Sequence, residues 1–333
     1  MRRALLAGVM FLTATVLLGC ERLPSDLGGE DVAEPIQFYG PQPRWIEWSW
    51  QSDAIVYELG GRLIVGRGED LKDAVQITGT GRYSYPSWSP DGRWIVHAYK
   101  RDQFRQEDLW VRSSDASELP RQLTNSGARD YAPKWSADGR WIAFFSTRSP
   151  SNHVWIVPAE GGEPRPLARA WPNEDSLSWS PQGALLAYEG GEQVAGGIWL
   201  ANPDTGQSWM LFDDIASERI PRWRPDGRAV GLINYADGRN VWVAETSGTG
   251  LARPVTSVGD VRSFDWVHQG RAIMLLTGDG TLLIQEARPE ATPAVLREKV
   301  VGFRASPDGR RYVYVLQVDT YYRYYADRVP EEW

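Results

Sequence analysis

The chain has 333 residues and a formal net charge of −7, with 36 basic and 43 acidic side chains. This acidic balance gives no general electrostatic attraction to nucleic acid or to anionic lipid, so we expect no nucleic-acid partner. The single cysteine excludes an internal disulfide.

The chain begins with a short basic segment followed by an apolar run. The run spans 16 residues, 4–19, which is short for a bilayer span and typical of the core of a signal peptide. It ends Leu17-Leu18-Gly19-Cys20, which resembles the lipobox of bacterial lipoproteins. The resemblance implies that residues 1–19 are a signal peptide and that Cys20 is acylated. An ordinary cleaved signal or a free cysteine is the alternative.

Residues 20–34 are predicted to form a flexible tether, because they are polar, contain Pro24 and Gly28-Gly29, and include few large apolar side chains. Glu21 follows the cysteine, and by resemblance to enterobacterial sorting rules it favours transfer to the outer membrane. We therefore expect a lipid-anchored protein of the bacterial envelope, in the outer membrane and facing the periplasm.

One short motif organises the rest of the chain, and its clearest copy is Pro86 to His97, PSWSPDGRWIVH. Within it, Ser89-Pro90-Asp91-Gly92 has the residues of a β-turn: proline presets φ, aspartate tolerates the third position and glycine takes a positive φ. Tryptophan, isoleucine and valine on either side favour strands. The motif therefore predicts a β-hairpin.

The motif occurs seven times, and we call the position of its first tryptophan the anchor. The anchors are Trp48, Trp88, Trp135, Trp179, Trp223, Trp266 and, in the weakest copy, Ala305. Successive anchors are 39 to 47 residues apart, and a fixed period of this size indicates a repeat array. Each period also contains two further strand patterns after the hairpin, which makes four strands per repeat.

A second tryptophan follows the anchor at a nearly constant distance in four repeats. These residues are Trp110, Trp155, Trp199 and Trp242. We expect the tryptophans that follow the period to pack between neighbouring sheets. A sugar-binding surface is the alternative for so many aromatic side chains.

Four antiparallel strands per period of about 40–45 residues fit a propeller blade. The motif WSPDGRWI resembles the WD40-like, or PD40, repeats of TolB-type and prolyl oligopeptidase-type propellers, over roughly residues 44 to 316. The sequence therefore predicts an all-β, seven-bladed propeller over residues 35–333. A six-bladed ring in which one weak copy acts as a cap is the alternative.

The last repeat is one strand short. Residues 36–39 precede the first motif and have no blade of their own. We expect this N-terminal strand to complete the last blade, which would close the ring and remove two unpaired sheet edges.

Function is expected on one end of the ring. The first-to-second and third-to-fourth turns meet at one end, which we call the tight-turn end. The other connections meet at the long-connection end, which is rich in arginine and aromatic residues, the usual material of binding hot spots. The predicted partner-binding residues there are Arg82, Tyr85, Arg129, Tyr131, Trp171 and Arg219.

Residues with catalytic spacing are scarce. The three histidines, His97, His153 and His268, fall in three repeats, which disfavours a metal-dependent lyase of the oligogalacturonate type. The chain contains no Gly-x-Ser-x-Gly and no Gly-x-x-x-x-Gly-Lys, so we expect no catalytic residue, metal or cofactor. A glycosidase stays open, because carboxylates on different blades can meet in the channel.

Two functions remain. The resemblance to TolB implies a non-catalytic envelope lipoprotein whose propeller is a scaffold for a protein partner. The alternative is a carbohydrate-binding or carbohydrate-active propeller, either a lyase or a glycosidase.

Overall fold

The computed structural model describes residues 44–68, 71, 73–101, 106–149, 153–170, 176–190, 197–212, 218–247, 251–318 and 321–333. The predicted signal peptide, the predicted acylation site Cys20, the predicted tether and the predicted N-terminal strand at 36–39 lie outside these residues, and so does Trp171.

The hairpin motif folds as its residues predict. In the second repeat Ser89 Oγ accepts the N–H of Trp94 at 2.9 Å, and Asp91 Oδ1 accepts the N–H of Arg93 at 3.0 Å. Gly92 has φ +70° and donates its N–H to the Ser89 carbonyl at 3.0 Å, which closes the turn. Serine, aspartate and glycine are therefore needed at these positions because each satisfies a backbone group of the turn.

The described residues form seven antiparallel sheets, in which neighbouring strands follow one another in sequence. Blade 1 contains β1 (Arg44–Trp48), β2 (Ala54–Leu59), β3 (Arg62–Arg67) and β4 (Asp73–Gln76). Blade 2 contains β5 (Tyr83–Trp88), β6 (Trp94–Tyr99), β7 (Asp108–Ser113) and β8 (Arg121–Gln122). Blade 3 contains β9 (Asp130–Trp135), β10 (Trp141–Ser146), β11 (His153–Pro158) and β12 (Arg165–Arg169).

The remaining blades follow the same order. Blade 4 contains β13 (Ser178–Trp179), β14 (Leu186–Gly190), β15 (Gly197–Ala201) and β16 (Ser208–Phe212). Blade 5 contains β17 (Glu218–Trp223), β18 (Ala229–Asn234), β19 (Asn240–Glu245) and β20 (Ala252–Pro254). Blade 6 contains β21 (Val261–Val267), β22 (Ala272–Thr277), β23 (Leu282–Glu286) and β24 (Ala294–Arg297), with a 3-10 turn at His268–Gly270. Blade 7 contains β25 (Val300–Ala305), β26 (Arg311–Val318) and β27 (Tyr321–Arg328).

The predicted all-β, seven-bladed propeller is confirmed, and the six-bladed alternative is wrong. Each of the seven motif copies begins its own sheet, including the weak copy around Ala305. Blade 7 has three strands among the described residues. The N-terminal fourth strand stays a prediction.

The first strands of the blades surround the centre of the ring, and each contacts the first strand of the next blade. The ring closes where β25 contacts β1. There Trp48 Nε1 donates to the Arg304 carbonyl at 3.1 Å, and the N–H of Asp308 donates to Ser52 Oγ at 3.0 Å. Blades 1 and 7 are thus joined by the same motif residues that join the other blades.

The anchor tryptophans hold neighbouring blades together, as the period predicts. Trp88, Trp179, Trp223 and Trp266 are buried, and each indole N–H donates to a carbonyl of the preceding blade at 2.9 to 3.2 Å. Trp135 is the exception, because its indole donates to Gly139 in its own turn at 3.2 Å. Each hydrogen bond gives the indole N–H a partner, and without that partner burial of the donor would cost free energy.

A β-bulge interrupts several of the first strands three residues before the anchor. Trp45, Tyr85, Ala132 and Ile220 have φ between +50° and +60°, although none is glycine. A proline follows three of them, at 86, 133 and 221, where the pairing with the second strand is interrupted. Proline is tolerated there because it has no N–H to donate to the ladder.

His97 lies on β6 opposite one of these bulges and is fully buried, with its ring 5.4 Å from that of Tyr83. Burial, and next the positive charge of Arg112, lowers the pKa of His97 to about 3. The unfolded chain therefore binds a proton near pH 6.5 that the folded chain excludes, so stability falls as the pH drops below that value. Relative to His97→Gln, we expect the wild type to lose about 1.4 kcal/mol of unfolding free energy between pH 7.5 and 5.5.

Urea unfolding of both proteins at the two pH values measures this difference. His153→Gln is the matched control, because that histidine is only partly buried. The same pH dependence in the wild type and in His97→Gln would contradict the assignment.

Candidate functional site

A cavity of about 480 Å³ lies at the tight-turn end of the ring, where the first strands of the blades end. We call it the channel pocket. Its walls include the anchors Trp48, Trp135, Trp179, Trp223 and Trp266, together with Trp50 and three turn prolines, Pro181, Pro225 and Pro307. A volume of this size is typical of sites that bind small molecules or short segments of chain.

Seven equivalent residues, one from each blade, lie on the wall of the channel pocket. Each immediately precedes the anchor of its repeat, and we call the set the channel ring. Its members, in blade order, are Glu47, Ser87, Lys134, Ser178, Arg222, Asp265 and Arg304. The ring closure therefore brings together three cations and two carboxylates that are far apart in sequence.

The two carboxylates of the channel ring have partners on other blades. Glu47 Oε1 accepts the Ser87 hydroxyl at 2.9 Å, and the same carboxylate pairs with Lys134 Nζ. Asp265 Oδ2 accepts the N–H of Ala305 at 3.0 Å, while its Oδ1 lies 3.7 Å from Arg222 Nε. These contacts involve six of the seven blades, so the charged groups hold the pocket wall together as well as line it.

The serine hydroxyls of the channel ring also connect neighbouring blades. Ser87 Oγ accepts the backbone N–H of Trp135 at 3.2 Å, and Ser178 Oγ accepts that of Trp223 at 3.3 Å. Each serine thereby ties its blade to the next blade. The channel ring was not among the residues predicted from the sequence, although a polar residue before every anchor was a signal that could have identified it.

The predicted partner-binding residues that the structure describes lie towards the opposite, long-connection end. Tyr85 and Tyr131 are 8% and 4% exposed, and their ring centroids are 6.2 Å apart. The Arg129 guanidinium lies 3.9 Å from the Tyr131 ring centroid and pairs with Glu107 at 3.0 Å. The structure thus brings these three side chains together, and most of their contacts are with one another and with neighbouring residues of the fold.

The other three residues are separate from that group. Arg82 lies in the connection before β5 and is exposed. Arg219 lies on β17, and its side chain is outside the described residues. Trp171 is likewise outside it. Partner binding by the six residues stays a prediction.

Two buried carboxylates, Asp108 of blade 2 and Asp130 of blade 3, lie close to Arg129 and Tyr131. Asp130 is fully buried, and its carboxylate accepts Ser146 Oγ at 2.6 Å and Arg148 Nη2 at 2.7 Å. Burial, and next the negative charge of Asp130, raises the pKa of the Asp108 carboxyl above its usual value. The hydrogen bonds of Asp130 stay within the fold and indicate a structural role.

The three histidines occupy different blades, as the sequence indicated. Nε2 of His268 lies 2.9 Å from the Pro330 carbonyl, and Nδ1 of His153 lies 2.7 Å from Ser149 Oγ. Across the described ranges, no three histidine, cysteine or acidic side chains are close enough to hold a metal ion. No helix within these ranges has the length and apolarity needed to span a membrane.

Comparison with solved structures gives the same fold. TolB from Acinetobacter baumannii is 14% identical, with 85% of this chain and 78% of that chain covered and a TM-score of 0.53. A putative TolB from Agrobacterium tumefaciens is 17% identical, with coverages of 78% and 94% and a TM-score of 0.52. An oligogalacturonate lyase in complex with manganese is 16% identical, with coverages of 89% and 99% and a TM-score of 0.63.

At these identities the structural matches show the fold alone. No curated protein matches the chain significantly. The family model for the TolB beta propeller domain, PD40, matches residues 72–270, which is more than half of the chain. That match includes five of the seven anchors, so the chain belongs to the PD40 family of TolB β-propeller domains.

Proposed function

We propose that this protein is a non-catalytic scaffold of the bacterial envelope whose propeller holds a protein partner. The observation that carries the proposal is the channel pocket, where arginine and tryptophan side chains from several blades meet at one end of the ring. Arginine and tryptophan are the side chains most enriched at binding hot spots. The family match supports the same role, because its description names TolB.

The proposal places the partner at the tight-turn end rather than at the long-connection end. The two tyrosines predicted as contacts are buried, whereas Trp50 and Arg222 on the pocket wall are partly exposed. A partner gains most from side chains that it can desolvate itself. Arg82 and Arg129 at the opposite end remain the alternative contact residues.

A crosslinking pull-down from envelope extract tests the proposal. The pocket variant Arg222→Met/Arg304→Met is compared with the long-connection variant Arg82→Ala/Arg129→Ala. The control is Asp204→Asn, in an exposed third-to-fourth turn. We expect a specific protein partner to be lost only from the pocket variant.

The other outcomes are equally clear. Loss of the partner only from the long-connection variant would move the contact face to the predicted residues. Recovery of a glycan and of no specific protein would favour the carbohydrate alternative, whose fold-level support is the lyase structure. A partner bound equally by all variants would contradict partner binding at either end of the ring.

The proposed location rests on Cys20, which we propose is acylated and anchors the protein to the outer membrane on its periplasmic side. We expect wild-type protein in the membrane fraction, labelled by radioactive palmitate, because two or more acyl chains give stable anchoring. Cys20→Ser is expected to give an unlabelled precursor or a soluble form. Identical fractionation of both proteins as soluble material would contradict the anchor.

A further inference from the structure

The channel pocket differs in charge from the protein as a whole. The chain carries a net charge of −7, whereas the pocket wall has three cations, Lys134, Arg222 and Arg304, and two carboxylates. The pocket wall is therefore net positive. Because cations outnumber carboxylates on this concave wall, the cavity favours an anionic group.

The two arginines suit a carboxylate in particular. A guanidinium presents a planar fork of donors that matches the two oxygens of a carboxylate. Arg222 Nε and Asp265 Oδ1 are 3.7 Å apart, beyond normal hydrogen-bond length, so their pairing is electrostatic. Arg222 Nη1 also donates to the Pro221 carbonyl at 3.2 Å, so an incoming carboxylate shares the guanidinium with the groups that already hold it.

The aromatic wall distinguishes an apolar ligand from a sugar. The anchors of the pocket wall are 5% to 7% exposed, and their rings are held between blades. Only a small part of each of these indoles is therefore accessible, which leaves little ring surface on which a sugar could stack. The wall is instead suited to contact aliphatic or aromatic groups of a ligand.

We propose that the channel pocket binds a C-terminal carboxylate carried by an apolar peptide segment of the partner. The inference rests on the proposed function, since it names the chemistry by which the scaffold recognises its partner. A chain terminus enters a cavity surrounded by seven blades as one strand of backbone, whereas a loop must bring two. Arg222 and Arg304 bind the carboxylate, and the anchors contact the apolar side chains.

Binding of a matched peptide pair tests the proposal directly. The probes are acetyl-Ala-Leu-Phe with a free carboxylate and the same peptide as its C-terminal amide, with affinity measured by calorimetry. We expect the acid to bind at least tenfold more tightly than the amide. The difference is expected to shrink at high salt, because screening weakens the charge attraction.

Three substitutions locate the binding group. Arg222→Met and Arg304→Met are each expected to weaken binding of the acid at least tenfold while leaving the amide nearly unchanged. Asp265→Asn keeps an acceptor for the Ala305 N–H but makes the wall more positive, so it is expected to strengthen binding of the acid several-fold. Arg310→Met, an exposed arginine of a tight turn off the pocket wall, is the charge-matched control and should have no effect.

Equal affinity for acid and amide would overturn the proposal, and so would an equal effect of Arg310→Met. Tight binding of D-glucuronate without binding of the peptide acid would overturn it in favour of an acidic sugar. If an arginine variant fails to fold, two measurements still test the proposal. They are the affinities of the wild type for acid and amide, and the stronger binding of the acid that is expected for Asp265→Asn. Failure of these probes, with the pull-down loss intact, would refute the carboxylate chemistry and leave the scaffold function standing.

Discussion

We expect Trp179→Ala to lower the free energy of unfolding by about 3–5 kcal/mol, as truncation of a large buried side chain does. Trp179 is 7% exposed and packs at the interface of blades 3 and 4. Its indole N–H donates to the Lys134 carbonyl at 2.9 Å, so the substitution also leaves that carbonyl without its donor. Denaturant unfolding measured by circular dichroism gives the value.

Trp209→Ala is the matched control, because Trp209 lies on the outer strand β16 and is 40% exposed. We expect that variant to unfold close to the wild-type midpoint. If the two variants were destabilised equally, the anchor tryptophans would not be the residues that join the blades.

We expect Asp130→Asn to cost about 3–5 kcal/mol of unfolding free energy, because it leaves the mostly buried Arg148 without its counter-charge. The Asp130 side chain is fully buried, and Arg148 Nη2 lies 2.7 Å from its carboxylate. Removing one member of a buried pair costs more than the pair contributes, since the remaining charge stays desolvated. The double variant Asp130→Asn/Arg148→Met is therefore expected to recover part of the loss.

Asp204→Asn again serves as control, because Asp204 pairs with Arg140 on the surface and both side chains are half-exposed. Its unfolding midpoint is expected to stay near that of the wild type, because an exposed pair contributes little. A loss for Asp130→Asn as small as that of the control, or no recovery in the double variant, would contradict the structural role of the buried pair.

The repeat motif predicted most of the fold. Ser89, Asp91 and Gly92 specify a turn through their own hydrogen bonds. The hairpin therefore depends on residues that are close in sequence, and it can be predicted from them. Because every blade reuses these residues, their copies also give the number of blades. Even the copy without a tryptophan, at Ala305, begins a sheet.

The candidate site was harder to predict, because it depends on closure of the ring. Lys134 and Glu47 are 87 positions apart and become partners only when blades 1 to 3 curve around the centre. Tyr85 and Tyr131 were predicted on the surface because they lie near long connections. The structure places them on the first strands β5 and β9 and buries both rings, because sequence position alone does not show where a connection ends and a strand begins.

Photo-crosslinking in the native cells tests most directly whether the partner binds at the tight-turn end. p-Benzoylphenylalanine is placed at Trp50, on the pocket wall, or at Tyr235, a 39% exposed residue of the long-connection end. Both exchanges keep an aromatic side chain, so the two proteins differ mainly in which end of the ring carries the crosslinker. The account predicts a protein adduct from position 50 and none from position 235. An adduct from position 235 alone would contradict it.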